Sequence, residues 1–288
     1  MGVNIQTIKD IRFYLAGELK DVYQESDIRI LADILIKAAT GIVKVHQLYD
    51  GGFLVSVIEK DKIIAFANEL KTGKPVQYVV GETTFYNCRI KLNSSTLIPR
   101  PETEELVDLI IKENRGCKGD IIDFGSGSGC ISIALSANLP ESHVTGVEIS
   151  DEANECAREN AVLNNVNVSF LNGDIFNFDS SKAGGVSIIV SNPPYVMRSE
   201  KTLMNRNVLD FEPESALFVP DTDPLIYYKA IIDIADKILI PGGRIYFEIN
   251  EAMGGPMLRL LESYNYIDTK IIADINGKDR IIKGIKYG

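Results

Sequence analysis

The tetrapeptide Asn192-Pro193-Pro194-Tyr195 closes an apolar run, Val186 to Ser191, that reads as the end of a buried strand. Tandem prolines remove two backbone N–H donors and fix φ at both positions, so the segment presents only carbonyl oxygens and side chains at the carboxyl end of that strand. The Asn192 side-chain oxygen and the Pro193 carbonyl can together hold the two hydrogens of a planar NH2 group, and Tyr195 offers a flat face to stack on it. Such a site takes an amide or an exocyclic amine.

A second set of candidate residues ends earlier apolar runs. Asp120 to Phe124 leads into Asp123-Phe124-Gly125-Ser126-Gly127-Ser128-Gly129-Cys130, a glycine-rich turn opening a helix. Glycines permit the tight turn and remove the Cβ atoms that would block a ligand, while the helix N-terminus supplies free N–H groups. Cys130 occupies the sixth position of the dinucleotide fingerprint, where glycine is needed, so this turn alone reads equally well as a plain strand–helix connection. Glu148 ends the next run about twenty residues on, the place of an acid that takes two ribose hydroxyls. Alone, it also reads as an acid attracted by the dipole of the following helix. Together, turn and acid favour an adenosine-type cofactor. In Asn172-Gly173-Asp174-Ile175-Phe176 the acid can accept from an adenine amino group while Ile175 or Phe176 covers the ring; the alternative is an Asx-turn leaving a strand. In a parallel sheet all these strand ends face one crevice, with Asn192 at its edge.

The elements that must position these residues follow from periodicity. Ile5, Ile8, Ile11, Leu15 and Leu19 recur at helical spacing, Ile28 to Ile36 repeats it, and Val55 to Leu70 does so again before Gly73-Lys74-Pro75. From Tyr78 to Leu97, β-formers alternate with polar residues and Gly81 and Asn87 mark turns, which predicts a β-hairpin. Beyond Pro101, short apolar runs alternate with helical stretches, as in a mostly parallel sheet covered on both faces. The predicted strands are Asp120 to Phe124, Val144 to Glu148, Val168 to Asn172, Val186 to Ser191, Arg244 to Ile249, Tyr266 to Ile272 and Arg280 to Tyr287. Helices are predicted near Cys130 to Ala137, Asp151 to Asn164, Pro224 to Leu239 and Glu251 to Ser263. Asn276-Gly277-Lys278 leaves no room for a helix between the last two strands, which must then pair antiparallel.

Composition narrows the partners. The 288 residues, 45% hydrophobic and 24% charged, bury a sizeable core, and a net charge of −10 repels a phosphate backbone over the whole surface. Stable nucleic-acid binding is therefore not expected. The first twenty residues break their apolar positions with charges and are not expected to be a signal peptide, and no window approaches a membrane span. Cys88, Cys117, Cys130 and Cys156 lie far apart, and the histidines are His46 and His143. Reduced thiols, no metal site and a cytoplasmic location are expected.

The order of Asp123 to Gly129, Glu148, Asp174 and Asn192 to Tyr195 resembles class I S-adenosylmethionine-dependent methyltransferases that act on planar nitrogen. The tetrapeptide is shared by adenine-N6 DNA methyltransferases and protein-glutamine N5 methyltransferases. Leu97-Ile98-Pro99-Arg100-Pro101-Glu102-Thr103-Glu104-Glu105-Leu106-Val107 resembles the hallmark segment of the bacterial release factor glutamine methyltransferases, the PrmC or HemK family. Pro75-Val76-Gln77-Tyr78, Phe211-Glu212-Pro213, Phe247-Glu248-Ile249 and Asn276-Gly277-Lys278-Asp279-Arg280 are similar to it as well.

This resemblance implies an α/β fold: a seven-stranded, Rossmann-like methyltransferase domain over 98–288, a β-hairpin linker over 75–97 and a small helical substrate-docking domain over 1–74. It implies N5-methylation of the glutamine in the Gly-Gly-Gln tip of class I peptide chain release factors, with S-adenosylhomocysteine as the other product. Asp123, Phe124, Gly125, Ser126, Gly127, Glu148, Asp174, Ile175 and Asn192 would line the cofactor site. Asn192, Pro193, Pro194 and Tyr195 would hold the glutamine, Asn192, Pro193 and Tyr195 serving catalysis, with Leu97 and Arg100 beside them. Arg100 can pack with Leu97 over the cofactor or be a charged loop residue, and Met197 to Arg206 can touch the partner or be a solvated loop. Glu102, Glu104 and Glu105 read as first-turn acids. Two departures stand out: the ribose acid is commonly aspartate in this family where Glu148 is one methylene longer, and Asn250 stands where glycine is frequent. An adenine-N6 methyltransferase and a non-catalytic nucleotide-binding module are the competing readings.

Overall fold

The computed structural model describes residues 5–42 and 53–288, so His46 lies outside the described residues. The chain divides into two compact units, Met1–Gly81 with Asn205–Phe211, and Glu82–Met204 with Glu212–Gly288.

In the first unit, helices α1 (Ile8–Leu19), α2 (Glu25–Thr40), α3 (Val57–Leu70) and α4 (Val76–Val80) bury the apolar stripe set by the three- and four-residue spacing, with Ile8, Ile11, Leu15 and Leu19 in its core. Reciprocal capping boxes open α1 (Thr7 with Asp10) and α3 (Ser56 with Glu59), satisfying backbone donors left free by the first turn. Residues 78–80, expected in the hairpin, instead complete α4. Gly81, at φ +78°, ends that helix in the left-handed conformation that glycine tolerates best.

From residue 82 the chain runs through β1 (Glu82–Phe85), β2 (Cys88–Lys91), α5 (Pro101–Glu113), β3 (Asp120–Phe124), α6 (Cys130–Asn138), β4 (His143–Glu148), α7 (Asp151–Leu163), β5 (Val168–Asn172) and β6 (Val186–Ser191). It continues through β7 (Val196–Met197), α8 (Arg206–Phe211), β8 (Phe218–Val219), α9 (Ile226–Ile238), β9 (Leu239–Glu248), α10 (Gly254–Ser263), β10 (Tyr266–Ala273) and β11 (Asp279–Lys286). The hairpin turns at Tyr86 and Asn87, both at positive φ as a two-residue turn of this hand requires. Glu104 accepts from the Tyr86 N–H at 2.6 Å and Asp108 from its hydroxyl at 3.0 Å, fastening the turn to α5.

Seven strands form one sheet in the order β10-β11-β9-β6-β3-β4-β5. The strands β9, β6, β3, β4 and β5 pair parallel, while β11 pairs antiparallel with both β9 and β10, as the short Asn276–Lys278 turn demands. Side chains alternate between faces. Ile122, Phe124, Ile245 and Phe247 join the core formed with α9 and α10, whereas Asp123, Tyr246 and Glu248 meet α6 and α5 on the other face. Strand β9 is longer than predicted, since Leu239 is already paired with Val186. Helix α10 starts later than predicted because Asn250 caps a separate 3-10 turn, Glu251–Met253.

The turn after β3 needs its glycines for two reasons. Gly125, Gly127 and Gly129 all hold positive φ, and a Cβ on Gly129 would also stand 2.8 Å from Phe170 Cζ and 3.0 Å from Ala157 Cβ, whereas one on Gly125 would meet nothing within 4 Å. Gly125→Ala should cost about 1–2 kcal/mol for the left-handed backbone. Gly129→Ala should cost about 2–5 kcal/mol, since overpacking adds to that strain. Urea denaturation of the two variants tests the difference; equal losses would refute the packing role of Gly129.

Candidate active site

The carboxyl ends of β3, β4, β5 and β6 surround a cavity of about 380 Å3. Gly125, Ser126 and Gly127 line it from the first turn, Glu148 from the end of β4, Asp174 and Ile175 from the end of β5, and Asn192 and Pro194 from the end of β6. Leu97 and Arg100 close it from the segment entering α5. Phe176 and Tyr227 add an aromatic wall, their ring centroids 5.2 Å apart; Tyr227, in the first turn of α9, carried no signal in the sequence. Four expected site residues do not line this cavity: Asp123, Phe124, Pro193 and Tyr195. Period-two alternation puts Phe124 in the core against Phe178, and Pro193 is buried. The half-buried Tyr195 ring packs against that same core.

Backbone donors hold the acids in place. Glu148 Oε2 accepts from the Gly127 N–H at 2.9 Å and Oε1 from the Ser150 N–H at 3.0 Å, which leaves further acceptor capacity on a carboxylate that lines the cavity. Asp174 accepts from the Phe176 N–H at 2.9 Å and from Asn177 Nδ2 at 2.6 Å, the Asx-turn that was the alternative reading, while still lining the cavity. Arg100 is half-buried and paired: its Nη2 lies 2.6 Å from the buried carboxylate of Glu212, which also accepts from the Ile98 N–H at 3.3 Å. That pair locks the entrance segment.

The tetrapeptide rests on residues not foreseen as part of the site. Asn192 Nδ2 donates to Thr103 Oγ1 at 3.2 Å, Thr103 donates to Glu248 Oε2 at 2.6 Å, and the Tyr195 hydroxyl donates to Glu248 Oε1 at 3.0 Å. Burial raises the Glu248 carboxyl above its ordinary range, opposed by the Thr103 and Tyr195 hydroxyls and the charge of Arg280. Burial also raises the Tyr195 phenol, with the Glu248 charge adding to it. An acid ending the otherwise apolar stretch Ile245 to Phe247 was the available signal for Glu248. Asn250 donates to the Tyr195 carbonyl at 3.3 Å and to Glu200 at 3.1 Å, so the departure from glycine at that position ties the turn after β9 to the tetrapeptide.

Behind the glycine turn, Asp123 is fully buried and accepts from the Ser132 hydroxyl at 2.6 Å, but its Oδ1 has no partner, nor has the buried Ser126 Oγ. Burial pushes the Asp123 carboxyl up to about 7, against the downward pull of Ser132. Burial likewise pushes the Cys130 thiol up to about 12.

A parallel sheet closed by a reversed hairpin, with a glycine turn after its first strand and an acid at the end of its second, defines a class I S-adenosylmethionine-dependent methyltransferase. A methyltransferase small domain model matches residues 102–210. A crystal structure of a methyltransferase from Pyrococcus furiosus shares the fold at a TM-score of 0.50 and 18% identity, over 69% of this chain and 89% of that one. The release factor glutamine methyltransferase of Bacteroides thetaiotaomicron is 40% identical over 272 residues, 94% of this chain and 98% of its own. That of Flavobacterium psychrophilum is 40% identical over 280 residues, 96% and 98%. The chain belongs to the release factor glutamine methyltransferase family.

The state of Asp123 sets a pH dependence. The unfolded chain releases this proton near 3.8, the folded one only near 7, so between those values the folded state binds more protons. Its contribution to stability is greatest below pH 3.8, is lost as pH rises toward about 7, and is flat above. Asp123→Asn should remove that fall, and urea unfolding of both proteins from pH 4 to 8 measures it. Parallel curves would show that Asp123 is ionised throughout.

Proposed function

We propose that this protein transfers a methyl group from S-adenosylmethionine to the side-chain amide nitrogen of the glutamine in the Gly-Gly-Gln tip of class I peptide chain release factors. The observation that carries the reading is Asn192 at the cavity wall, its Nδ2 engaged by Thr103, which leaves Oδ1 to accept from an amide hydrogen. Among the described residues no helix is long and apolar enough to cross a membrane, and no group of three or more His, Cys, Asp or Glu could hold a metal ion. A cytoplasmic enzyme acting on a protein made there fits this reading.

The residues present suit the cofactor. Glu148 would hold the ribose hydroxyls, and Asp174, Ile175 and Phe176 would border the adenine. The orphaned Ser126 Oγ, on a residue that lines the cavity, marks the turn as a place for a further hydrogen-bonding partner. When bound, S-adenosylmethionine supplies an electrophilic methyl group on a sulfonium. The acceptor amide is a poor nucleophile, because its lone pair is delocalised into its carbonyl. As nitrogen attacks it loses planarity and gains positive charge, and an acceptor at Asn192 Oδ1 would oppose that charge more in the transition state than in the ground state. Leu97, Arg100 and Pro194 would border the glutamine and align it. Neither His nor Lys lines the cavity among the described residues, and the high Cys130 pKa makes it an unsuitable base at neutral pH; the proton would leave late, to water or through Asn192. Tyr195 would serve by anchoring the tetrapeptide through Glu248. Residues 1–74 would dock the release factor, with residues 75–97 joining them to the methyltransferase domain. The exposed Phe13 and Ile30 on α1 and α2 support this role.

Incubation with methyl-labelled S-adenosylmethionine and either a release factor or duplex DNA, followed by mass spectrometry, should place the label on the glutamine amide. Label on adenine, or none, would sink the reading. Asn192→Ala should lower the single-turnover rate by about 10²- to 10³-fold, the loss typical of one aimed hydrogen-bonding group, with cofactor affinity little changed. Glu148→Ala should instead weaken cofactor binding by about 10- to 100-fold, the worth of hydrogen bonds to a charged group, as titration calorimetry reads it.

A further inference from the structure

A side-chain amide has two ends of nearly the same size and shape, so packing alone does not decide which end faces a cavity. For Asn192 the choice matters: Oδ1 toward the acceptor presents a hydrogen-bond acceptor, while Nδ2 there would present two hydrogens to an NH2 group that needs none. The hydrogen bonds behind Asn192 remove the ambiguity. Glu248, 1% exposed at the end of β9, is acceptor-only when ionised, and its two side-chain oxygens take the hydroxyl protons of Thr103 and Tyr195. Thr103 has one hydroxyl proton and spends it on Glu248, so toward Asn192 its oxygen acts as an acceptor and requires Nδ2. The backbone carbonyl of Glu248 is itself held by the Tyr228 hydroxyl at 2.9 Å.

We propose that Thr103 and Glu248 are positioning residues that set the orientation of the Asn192 amide and thereby its ability to receive an NH2 group. The proposal rests on the methyl transfer to glutamine argued above. Three elements contribute to the chain of bonds: the first turn of α5, the end of β9 and the turn after β6. Glu248 also holds Tyr195, so a single buried carboxylate fixes both ends of the tetrapeptide. Thr103 supplies orientation only through its hydroxyl, and its methyl group is dispensable for that purpose.

The test compares Thr103→Val, Thr103→Ser and Thr103→Val combined with Asn192→Ala, using labelled cofactor, intact release factor and single-turnover conditions, with cofactor affinity measured separately. Thr103→Val should slow transfer by about 10- to 100-fold, the scale of a misplaced reacting group, without a matching loss of cofactor affinity. Thr103→Ser should restore the rate. In the Asn192→Ala background, Thr103→Val should have no further effect on the rate, because the orientation of that amide no longer exists to be lost. A merely structural role predicts additive losses in the double variant, and additivity overturns the proposal, as does a Thr103→Val enzyme with an unchanged rate. A wild type that labels adenine or nothing instead overturns the glutamine reading itself, and the positioning role falls with it.

Discussion

Level parallel pairing at the centre of the sheet is the constraint on which the site depends. Phe124 lies opposite Val147 on one side and Ser191 on the other, and Glu148 opposite Asn172, so β3, β4, β5 and β6 end almost together. The Ser191 hydroxyl, donating at 2.6 Å to the Phe124 carbonyl, secures the pair whose loops carry the glycine turn and the tetrapeptide. Parallel strands need crossover connections, and these leave the carboxyl ends facing a crevice. A shift of one residue in β6 would move Asn192 away from Thr103 and carry its neighbours to the opposite face.

The polar groups behind that crevice work against burial. A carboxylate removed from water is costly unless hydrogen bonds compensate it, and Glu248 has its hydroxyl donors in Thr103 and Tyr195. Such a network does more for a unique arrangement than for net stability. Asp123 meets the same cost differently: one oxygen bonded to Ser132, one without a partner, and a carboxyl displaced upward. Both acids stand on the α5–α6 face of the sheet, close behind residues that line the cavity, where a low dielectric strengthens each charge.

Elements with strong local signals were legible in the sequence. β3, β5 and β6 have their expected bounds, and the reversed strands at the edge follow from a turn too short for a helix. Boundaries governed by caps were harder to place: α4 takes residues 78–80 because Gly81 can end a helix, and α10 starts late because Asn250 prefers to cap its own turn. At the site, residue type led to Asn192, Glu148 and the glycine turn. It did not reveal that the Tyr195 ring packs against the core and that its hydroxyl finds Glu248. Thr103 and Glu248 stand 145 positions apart and Arg100 and Glu212 112, separations at which no periodicity carries information.

By itself, then, the sequence determined which strands form, where glycine must relieve the backbone, and that an acceptor-only tetrapeptide stands at a strand end, because these depend on neighbours along the chain. Tertiary structure alone decided which way those groups face. The direction of the Asn192 amide, the anchoring of Tyr195 and the pairing of Arg100 are set by buried partners from distant segments, since a buried donor or acceptor must find its complement wherever folding brings one within about 3 Å.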